Sequence, residues 1–193
     1  HLEDAVPDLL FIDALAGTKV MIKGNHDYWW SAVSKVKEII PQSIHLIQNN
    51  AFDFGDISIG GTRLWDTDEF DFDPYIEYQQ KAGDYSPKEP LEDPREQEKI
   101  FTRELHRLEM SLKKLSKNAK HRIVMTHYPP IGIDLASTKV SKLLEAYQVD
   151  ICVFGHVHSM KKGLSPFFGE KNGVRYVFTC ADFVNFTPVA LLS

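Results

Sequence analysis

Three short apolar runs stand out along the chain, and each is soon followed by residues that end regular structure. They span residues 18–22, 122–126 and 150–154. Glycine follows the first and third runs, and a Pro-Pro pair, which can continue neither helix nor sheet, follows the second. Continuous apolar runs of this length are typical of parallel strands buried on both faces, although periodicity alone also allows a short buried helix.

Helical periodicity lies between these runs. Apolar side chains recur at roughly helical spacing over residues 2–15 and 33–40, and a shorter stripe over 138–147 leads into the third run. The strongest pattern starts at Asp93, a natural N-cap that is followed by proline and by Glu96, as in a capping box. Its apolar stripe comprises Ile100, Phe101, Leu105, Leu108, Leu112 and Leu115. This alternation of strand and helix patterns predicts an α/β fold.

Shorter β patterns occur between residues 44 and 64 and again near the end of the chain. Turn residues separate segments at 44–47, 51–54 and 57–59, and two further segments are predicted at 173–180 and 188–192. Residues 66–92 are dense in Asp, Glu, Pro and Tyr, which predicts a long loop or lid. Its acidic residues could lend a metal ligand, but a solvated loop is the commoner role for such a cluster.

Composition narrows the class of protein. A chain of 193 residues fits one domain with a sizeable core. Its net charge of −5, with lysine and arginine scattered, gives no electrostatic footprint for nucleic acid or an anionic membrane. The two cysteines lie in strand-like runs, and no signal peptide or membrane-length apolar stretch is apparent. We therefore expect reduced core thiols in a cytoplasmic protein.

Histidine follows each of the three apolar runs. The sequence reads Gly-Asn-His-Asp at 24–27, Thr-His-Tyr-Pro-Pro at 126–130 and Gly-His-Val-His at 155–158. Loops at the carboxyl ends of parallel strands gather over a common crevice, so these histidines can converge on one site. Neutral imidazole is the commonest protein metal ligand, which makes a metal centre the first hypothesis.

The ordered set of motifs resembles the later motifs of the calcineurin-like metallophosphoesterase superfamily. The continuation Tyr-Trp-Trp at 28–30, with Gly-Thr-Arg at 61–63, resembles a group of bacterial predicted phosphohydrolases within it. The likeness covers most of the chain, from the first helix to the Gly-His-Val-His motif. It implies a metallophosphoesterase-like β-sandwich flanked by helices, in αββα layers, that lacks its first strands.

The resemblance also implies a set of site residues. Asn25, His127 and His156 would bind one of two divalent metal ions, and His158 would reach the neighbouring ion. His26 corresponds to the histidine that stabilises or protonates the leaving-group oxygen. The metals would be manganese, iron, zinc or cobalt, because mixed nitrogen and oxygen ligands accept all four.

The chemistry of phosphate esters accounts for these residue types. Two cations about 3.5–4 Å apart neutralise the ester oxygens and convert bound water into hydroxide near neutral pH, and an imidazole suits the role of leaving-group acid. On an extended segment, His156 and His158 would share one face, so that each could bind one of two adjacent metals.

The expected function is therefore metal-dependent hydrolysis of a small phosphomonoester or phosphodiester. The family's Asp-x-His and Gly-Asp-x-x-Asp motifs do not occur upstream of Gly24, so residues 1–193 are expected to form one N-terminally incomplete domain, with the segment 66–92 as its lid. This departure keeps two alternatives open. One is a non-catalytic scaffold or interaction module, and the other is a mononuclear hydrolase that uses only Asn25, His127 and His156. Unpaired sheet edges would favour an oligomer.

Other residues are weaker candidates. Asp27 could orient His26 or brace its loop, Arg63 could clamp a phosphate, and Asp182 could border the site. Trp29 and Trp30 could stack on a substrate ring, although packing is the commoner role. Four further histidines lie outside the motifs and are expected at the surface: His1, His45, His106 and His121.

Overall fold

The computed structural model describes residues 2–30, 32–77, 93–161, 165 and 167–192. Two sheets organise the described residues. One has six strands in the order β3-β4-β5-β6-β8-β7, and the other pairs β1 with β2. The strands are β1 Lys19–Ile22, β2 Ile44–Ile47, β3 Ala51–Phe54, β4 Ile57–Thr62, β5 His121–Thr126, β6 Ile151–Phe154, β7 Phe167–Lys171 and β8 Val174–Phe178.

Parallel pairing dominates the centre of the large sheet. β4, β5, β6 and β8 run parallel, whereas β3 and β7 are antiparallel edge strands that form hairpins with their neighbours. β1 and β2 are also parallel. The carboxyl ends of β4, β5, β6 and β8 therefore lie at one edge, which is where two of the three predicted histidine groups follow their strands.

The helices lie where the periodicity predicts them. They are α1 Val6–Ala14, α2 Val33–Ile39, α3 Pro94–Leu112 and α4 Lys139–Ala146, with short 3₁₀ turns at Glu3–Ala5 and Asp73–Tyr75. Asp93 caps α3, accepting the Arg95 backbone N–H at 2.9 Å. The carboxylate of Glu96 pairs with Lys99 at 2.8 Å. Thr138 and Ser141 form a reciprocal capping box at the start of α4.

The main hydrophobic core covers one face of the large sheet. Val124, Cys152 and Tyr176 point from the central strands into this core, where Leu108 of α3 and Leu144 of α4 pack with them. All five side chains are fully buried. The apolar stripes that predicted these helices are thus the surfaces that cover the sheet.

The opposite face of the sheet explains an error in the predicted strands. Ile123, Ile151 and Val177 form a smaller cluster there, and Val189 and Leu191 pack against it. The predicted strand at 188–192 is wrong, because these residues have no strand conformation. The segment covers apolar side chains without joining a ladder, and Pro188 has no N–H to donate to one.

The small sheet has a separate core. Leu9 of α1, Val36 of α2 and Ile44 of β2 pack together with Trp30, which is fully buried. The indole N–H of Trp30 donates to Gln48 Oε1 at 3.0 Å. This cluster anchors the loop that follows β1, because Trp30 lies near the end of that loop.

The mixed α/β fold predicted from the sequence is confirmed, with a six-stranded sheet flanked by helices. Within the predicted lid, residues 78–92 lie outside the described residues. The described part forms loop structure apart from its 3₁₀ turn and one bridge between Ile76 and Met160. Among the described helices, none has the length and apolarity needed to cross a lipid bilayer.

Candidate metal centre

The loop after β1 is held in shape by the Asp27 carboxylate. Its Oδ2 accepts the Gly24 backbone N–H at 2.6 Å, and its Oδ1 accepts the indole N–H of Trp29 at 3.0 Å. A side chain at Gly24 would lie 3.2 Å from ring atoms of His127. Glycine therefore lets this loop lie directly against the imidazole, and Asp27 serves as its brace.

Backbone hydrogen bonds link the ends of three adjacent strands. The N–H groups of His127 and Tyr128, after β5, both donate to the carbonyl of Arg63, after β4. The N–H of Gly155, after β6, donates to the carbonyl of His127 at 3.2 Å. Because each of these contacts continues a parallel ladder beyond its strands, the residues that carry the site rest on the rigid part of the sheet.

Three predicted ligand side chains converge at this edge. His127 Nε2 lies 2.7 Å from Asn25 Oδ1 and 3.1 Å from His156 Nδ1. The ring of Tyr128, which is buried, lies beneath His156 with the two ring centroids 4.0 Å apart. Both short contacts fit a His127 Nε2–H that donates to Asn25 Oδ1 and His156 Nδ1. For ligation, the other neutral tautomer of His127 would offer its Nε2 lone pair beside those of the two acceptors.

Burial keeps both histidines of this cluster neutral. It lowers the pKa of His127 to about 4, and the positive charges of Arg63 and nearby histidines add to that effect against the opposing charge of Asp27. Burial likewise lowers the pKa of His156 to about 4, assisted by its neighbour His127. Neutral imidazole is the form that binds metal, so both rings are ready for ligation at neutral pH.

The backbone at His156 differs from the extended segment that was expected. His156 has a φ of +72°, and the N–H of Val157 donates to the carbonyl of Gly155 at 2.9 Å across it. A tight turn with a left-handed residue is uncommon outside glycine and is typical of functional positions. The expectation that His156 and His158 share the face of an extended strand is therefore wrong.

His158 lies in a second cluster with different neighbours. Its Nδ1 is 3.3 Å from Asp182 Oδ1 and 3.5 Å from Cys180 Sγ. Candidate ligand atoms of these three residues all lie within 4.8 Å of one another. Asp182 also accepts the Ser159 backbone N–H at 2.8 Å. The side chain of His158 is 70% exposed, so this cluster is much more open than the first.

Sequence reasoning placed Asp182 near the site but missed Cys180. The thiol is buried, and burial followed by the adjacent Asp182 raises its pKa to about 12. Its apolar strand-like surroundings predicted a core residue, and that is also where most of the side chain lies. The sequence offers one signal, the spacing of Cys180 and Asp182 directly after a buried strand, which repeats the arrangement of the histidine motifs.

His26 lies at the rim of the first cluster. Its side chain is exposed, and its ring packs edge-on against Tyr28 with the centroids 5.9 Å apart. It directly follows Asn25 in the loop after β1, and its charge would add to the lowering of the pKa of His127 and His156. An exposed imidazole at this position can exchange protons with solvent.

The remaining candidate residues lie outside the two clusters. Trp30 is a core residue, and Trp29 donates to Asp27, so both tryptophans pack within the protein. Glu69 of the acidic loop accepts the Lys139 backbone N–H at the start of α4. Outside the motifs, His106 is exposed, His45 and His121 are partly buried, and His1 lies outside the described residues.

Comparison with known proteins agrees with the fold and the motifs. The family model of the calcineurin-like phosphoesterases matches residues 5–160, which include all three histidine groups. The chain belongs to the calcineurin-like phosphoesterase family. Members of this family are generally hydrolases of phosphoester bonds and typically bind divalent metals. A search of curated proteins gave no match.

Proposed function

We propose that this chain is a metal-dependent phosphoesterase that hydrolyses a small phosphomonoester or phosphodiester. The observation that carries the proposal is that His127 Nε2 lies 2.7 Å from Asn25 Oδ1 and 3.1 Å from His156 Nδ1, although the three residues come from sequence-distant loops. An amide oxygen and two neutral imidazoles form a donor set that suits borderline divalent cations such as manganese, iron, zinc or cobalt. These three residues would hold the first ion.

The second ion would be held on the side of His158. Asp182 supplies a carboxylate oxygen beside this imidazole, and their atoms lie 3.3 Å apart. When bound, divalent ions neutralise the oxygens of a phosphate ester and make water a nucleophile at neutral pH.

In the loop after β1, Asp27 would position the ligand Asn25, and His26 would supply a proton to the leaving group. Asp27 keeps the loop that carries Asn25 against His127 through its two hydrogen bonds. His26, exposed at the rim, would donate its proton to the oxygen of the departing group and regain one from solvent. His26 is exposed to the solvent that would return its proton, whereas Asn25 is half-buried beside His127.

Manganese-dependent hydrolysis of p-nitrophenyl phosphate and its bis ester tests this function. We expect activity that falls by about 100-fold or more in His156→Ala, because a ligand is lost from the first ion. His106→Ala is the matched control, since His106 is an exposed histidine on α3. The preferred ester assigns the substrate class.

Two outcomes would contradict the proposal. Unchanged metal content and hydrolysis in His127→Ala and His156→Ala would show that these histidines are not ligands. Tight manganese binding without hydrolysis of either ester would favour the non-catalytic scaffold instead. Full activity with one equivalent of manganese would support the mononuclear variant of the same chemistry.

A further inference from the structure

A cavity of about 260 Å³ opens next to the candidate metal centre, between the ends of β1, β2 and β4 and one side of α3. Four of the residues that line it are cationic, namely Lys23, Arg63, Arg103 and Arg107, whereas Glu104 supplies one negative charge. The described lining therefore carries a net charge of three positive units, from four cations and one carboxylate. The whole chain is acidic, so this concentration of positive charge is local.

Glu104 holds the three guanidinium groups in place. Its side chain is only 1% exposed, and its Oε1 lies 2.7 Å from Arg107 Nη1, 3.4 Å from Arg103 Nε and 3.8 Å from Arg63 Nη2. Its Oε2 accepts the Thr62 hydroxyl at 3.2 Å. One carboxylate thus contacts a single nitrogen of each guanidinium, which has five N–H donors. The cluster is preorganised and has donors beyond those that Glu104 uses.

Two further contacts involve Arg63 and Lys23, which also line the cavity. The guanidinium of Arg63 lies over the ring of Trp65, 4.5 Å from its centroid. The ammonium of Lys23 donates to the carbonyl of Trp30 at 2.5 Å. These contacts hold the cationic groups of Arg63 and Lys23 in place at the cavity.

We propose that this cavity binds a phosphate or carboxylate group. Arginine forks recognise both anions through paired N–H donors, and here three of them surround one opening. The excess of positive charge is what assigns an anionic ligand to the cavity.

The position of the cavity indicates which molecule carries the anionic group. Lys23 immediately precedes Gly24 and Asn25, and the carbonyl of Arg63 accepts the backbone N–H of His127. Two residues that line the cavity therefore connect it to the loops that carry the metal centre. The cavity is a subsite for a second anionic group of the substrate, an assignment that rests on the proposed phosphoesterase function. The substrate class is a phosphate ester with another phosphate or carboxylate on the same molecule.

The first experiment measures binding of inorganic phosphate to the metal-free protein by calorimetry at low ionic strength. We expect saturable binding that weakens about tenfold in Arg103→Gln, because one cation is removed from the cavity. Arg95→Gln is the matched control, since Arg95 is an exposed arginine on the same helix whose partner is Asp93. Equal phosphate affinity in Arg103→Gln and the unchanged protein would overturn the proposal.

The second experiment measures kcat/KM of the manganese-loaded protein for alkanediol bisphosphates of increasing length and for the alkyl monophosphates of matching length. We expect a preference for a bisphosphate of suitable length, and a loss of about tenfold in that preference in Arg103→Gln through KM. Phosphate binding without any bisphosphate preference would show that the cavity takes free phosphate, which overturns its assignment as a substrate subsite.

These two experiments distinguish a failure of the subsite proposal from a failure of the proposed phosphoesterase function. Hydrolysis of monophosphates without phosphate binding in the cavity would reject the subsite and leave the phosphoesterase standing. Phosphate binding that depends on Arg103, without hydrolysis of any ester, would reject the phosphoesterase and leave the anion site standing. Circular dichroism and thermal unfolding of Arg103→Gln verify that the fold is intact; Arg63 and Arg107 still contact Glu104 in this variant.

Discussion

The two histidine clusters at the edge of the sheet differ in how they are built. Asn25, His127 and His156 are half-buried, and backbone hydrogen bonds connect the ends of the strands that carry the two histidines. His158 and Asp182, in contrast, are exposed, and the turn after β8 supplies the carboxylate. The first cluster is rigid because the sheet defines it, whereas the second depends on a surface turn.

This difference indicates how the site would assemble. Preorganised ligands lose little conformational freedom when an ion binds, and exposed ones lose more. We therefore expect the first cluster to bind metal more tightly than the second. Three sets of measurements test the difference between the two clusters, beginning with the largest expected effect.

Removing a ligand from each cluster should weaken metal binding unequally. We expect His127→Ala to lower manganese affinity by about 100-fold or more, because His127 contacts both Asn25 and His156. His158→Ala should lower it by about tenfold, since its cluster is open to water. Equilibrium dialysis with manganese measures both. Equal losses of manganese affinity in the two variants would show that the two clusters do not differ in how tightly they bind metal.

Each cluster also has a carboxylate that accepts a backbone N–H. Asp27 accepts from Gly24 and from the Trp29 indole, and Asp182 accepts from Ser159. We expect Asp27→Ala to lower the free energy of unfolding by about 1–3 kcal/mol, because two donors in a half-buried loop lose their partner. Asp182→Ala should cost less than about 1 kcal/mol, since water replaces the lost acceptor. Urea unfolding of the metal-free proteins measures both, and a larger loss in Asp182→Ala would reverse the assignment of the rigid cluster.

The smallest expected effect is on how the stability of the protein depends on pH. The folded pKa of His127 and His156 is about 4, below the ordinary histidine value of about 6.5. Between these values the unfolded chain binds more protons, so the stability of the metal-free protein should fall as pH drops from about 6.5 to 4. Each ring should contribute about 1 kcal/mol after solvent screening. His127→Gln should reduce this loss in thermal melts recorded across the window, whereas His106→Gln should not. An identical pH dependence in His127→Gln would show that the ring is not held neutral.

Much of the fold could be predicted because its signals are local. Apolar periodicity predicted the four α-helices found among the described residues, and the uninterrupted apolar runs predicted β1, β5 and β6 within one residue. The N-cap Asp93 depends only on its own turn. The segment 188–192 was mistaken for a strand because it is apolar, yet its side chains cover a finished sheet. Composition cannot distinguish a strand from a covering segment, since the difference lies in backbone partners.

The motif residues were also predictable, because their order along the chain resembles one family. The resemblance also implied that Asn25, His127 and His156 belong together and that His158 lies apart from them. The local backbone at His156 was not predictable. The spacing of His156 and His158 predicted one shared face, and the left-handed turn at His156 placed them with different neighbours. The site assignments themselves stay predictions until metal binding is measured.

The sequence by itself determined the helices, most strands, the family and the candidate ligands, because these depend on neighbouring residues and short motifs. Only the tertiary structure brought Cys180 and Asp182 to His158, and Arg63 to Glu104. Those contacts join residues far apart along the chain, and their distances follow from how strands pair and helices pack. No local pattern contains that information.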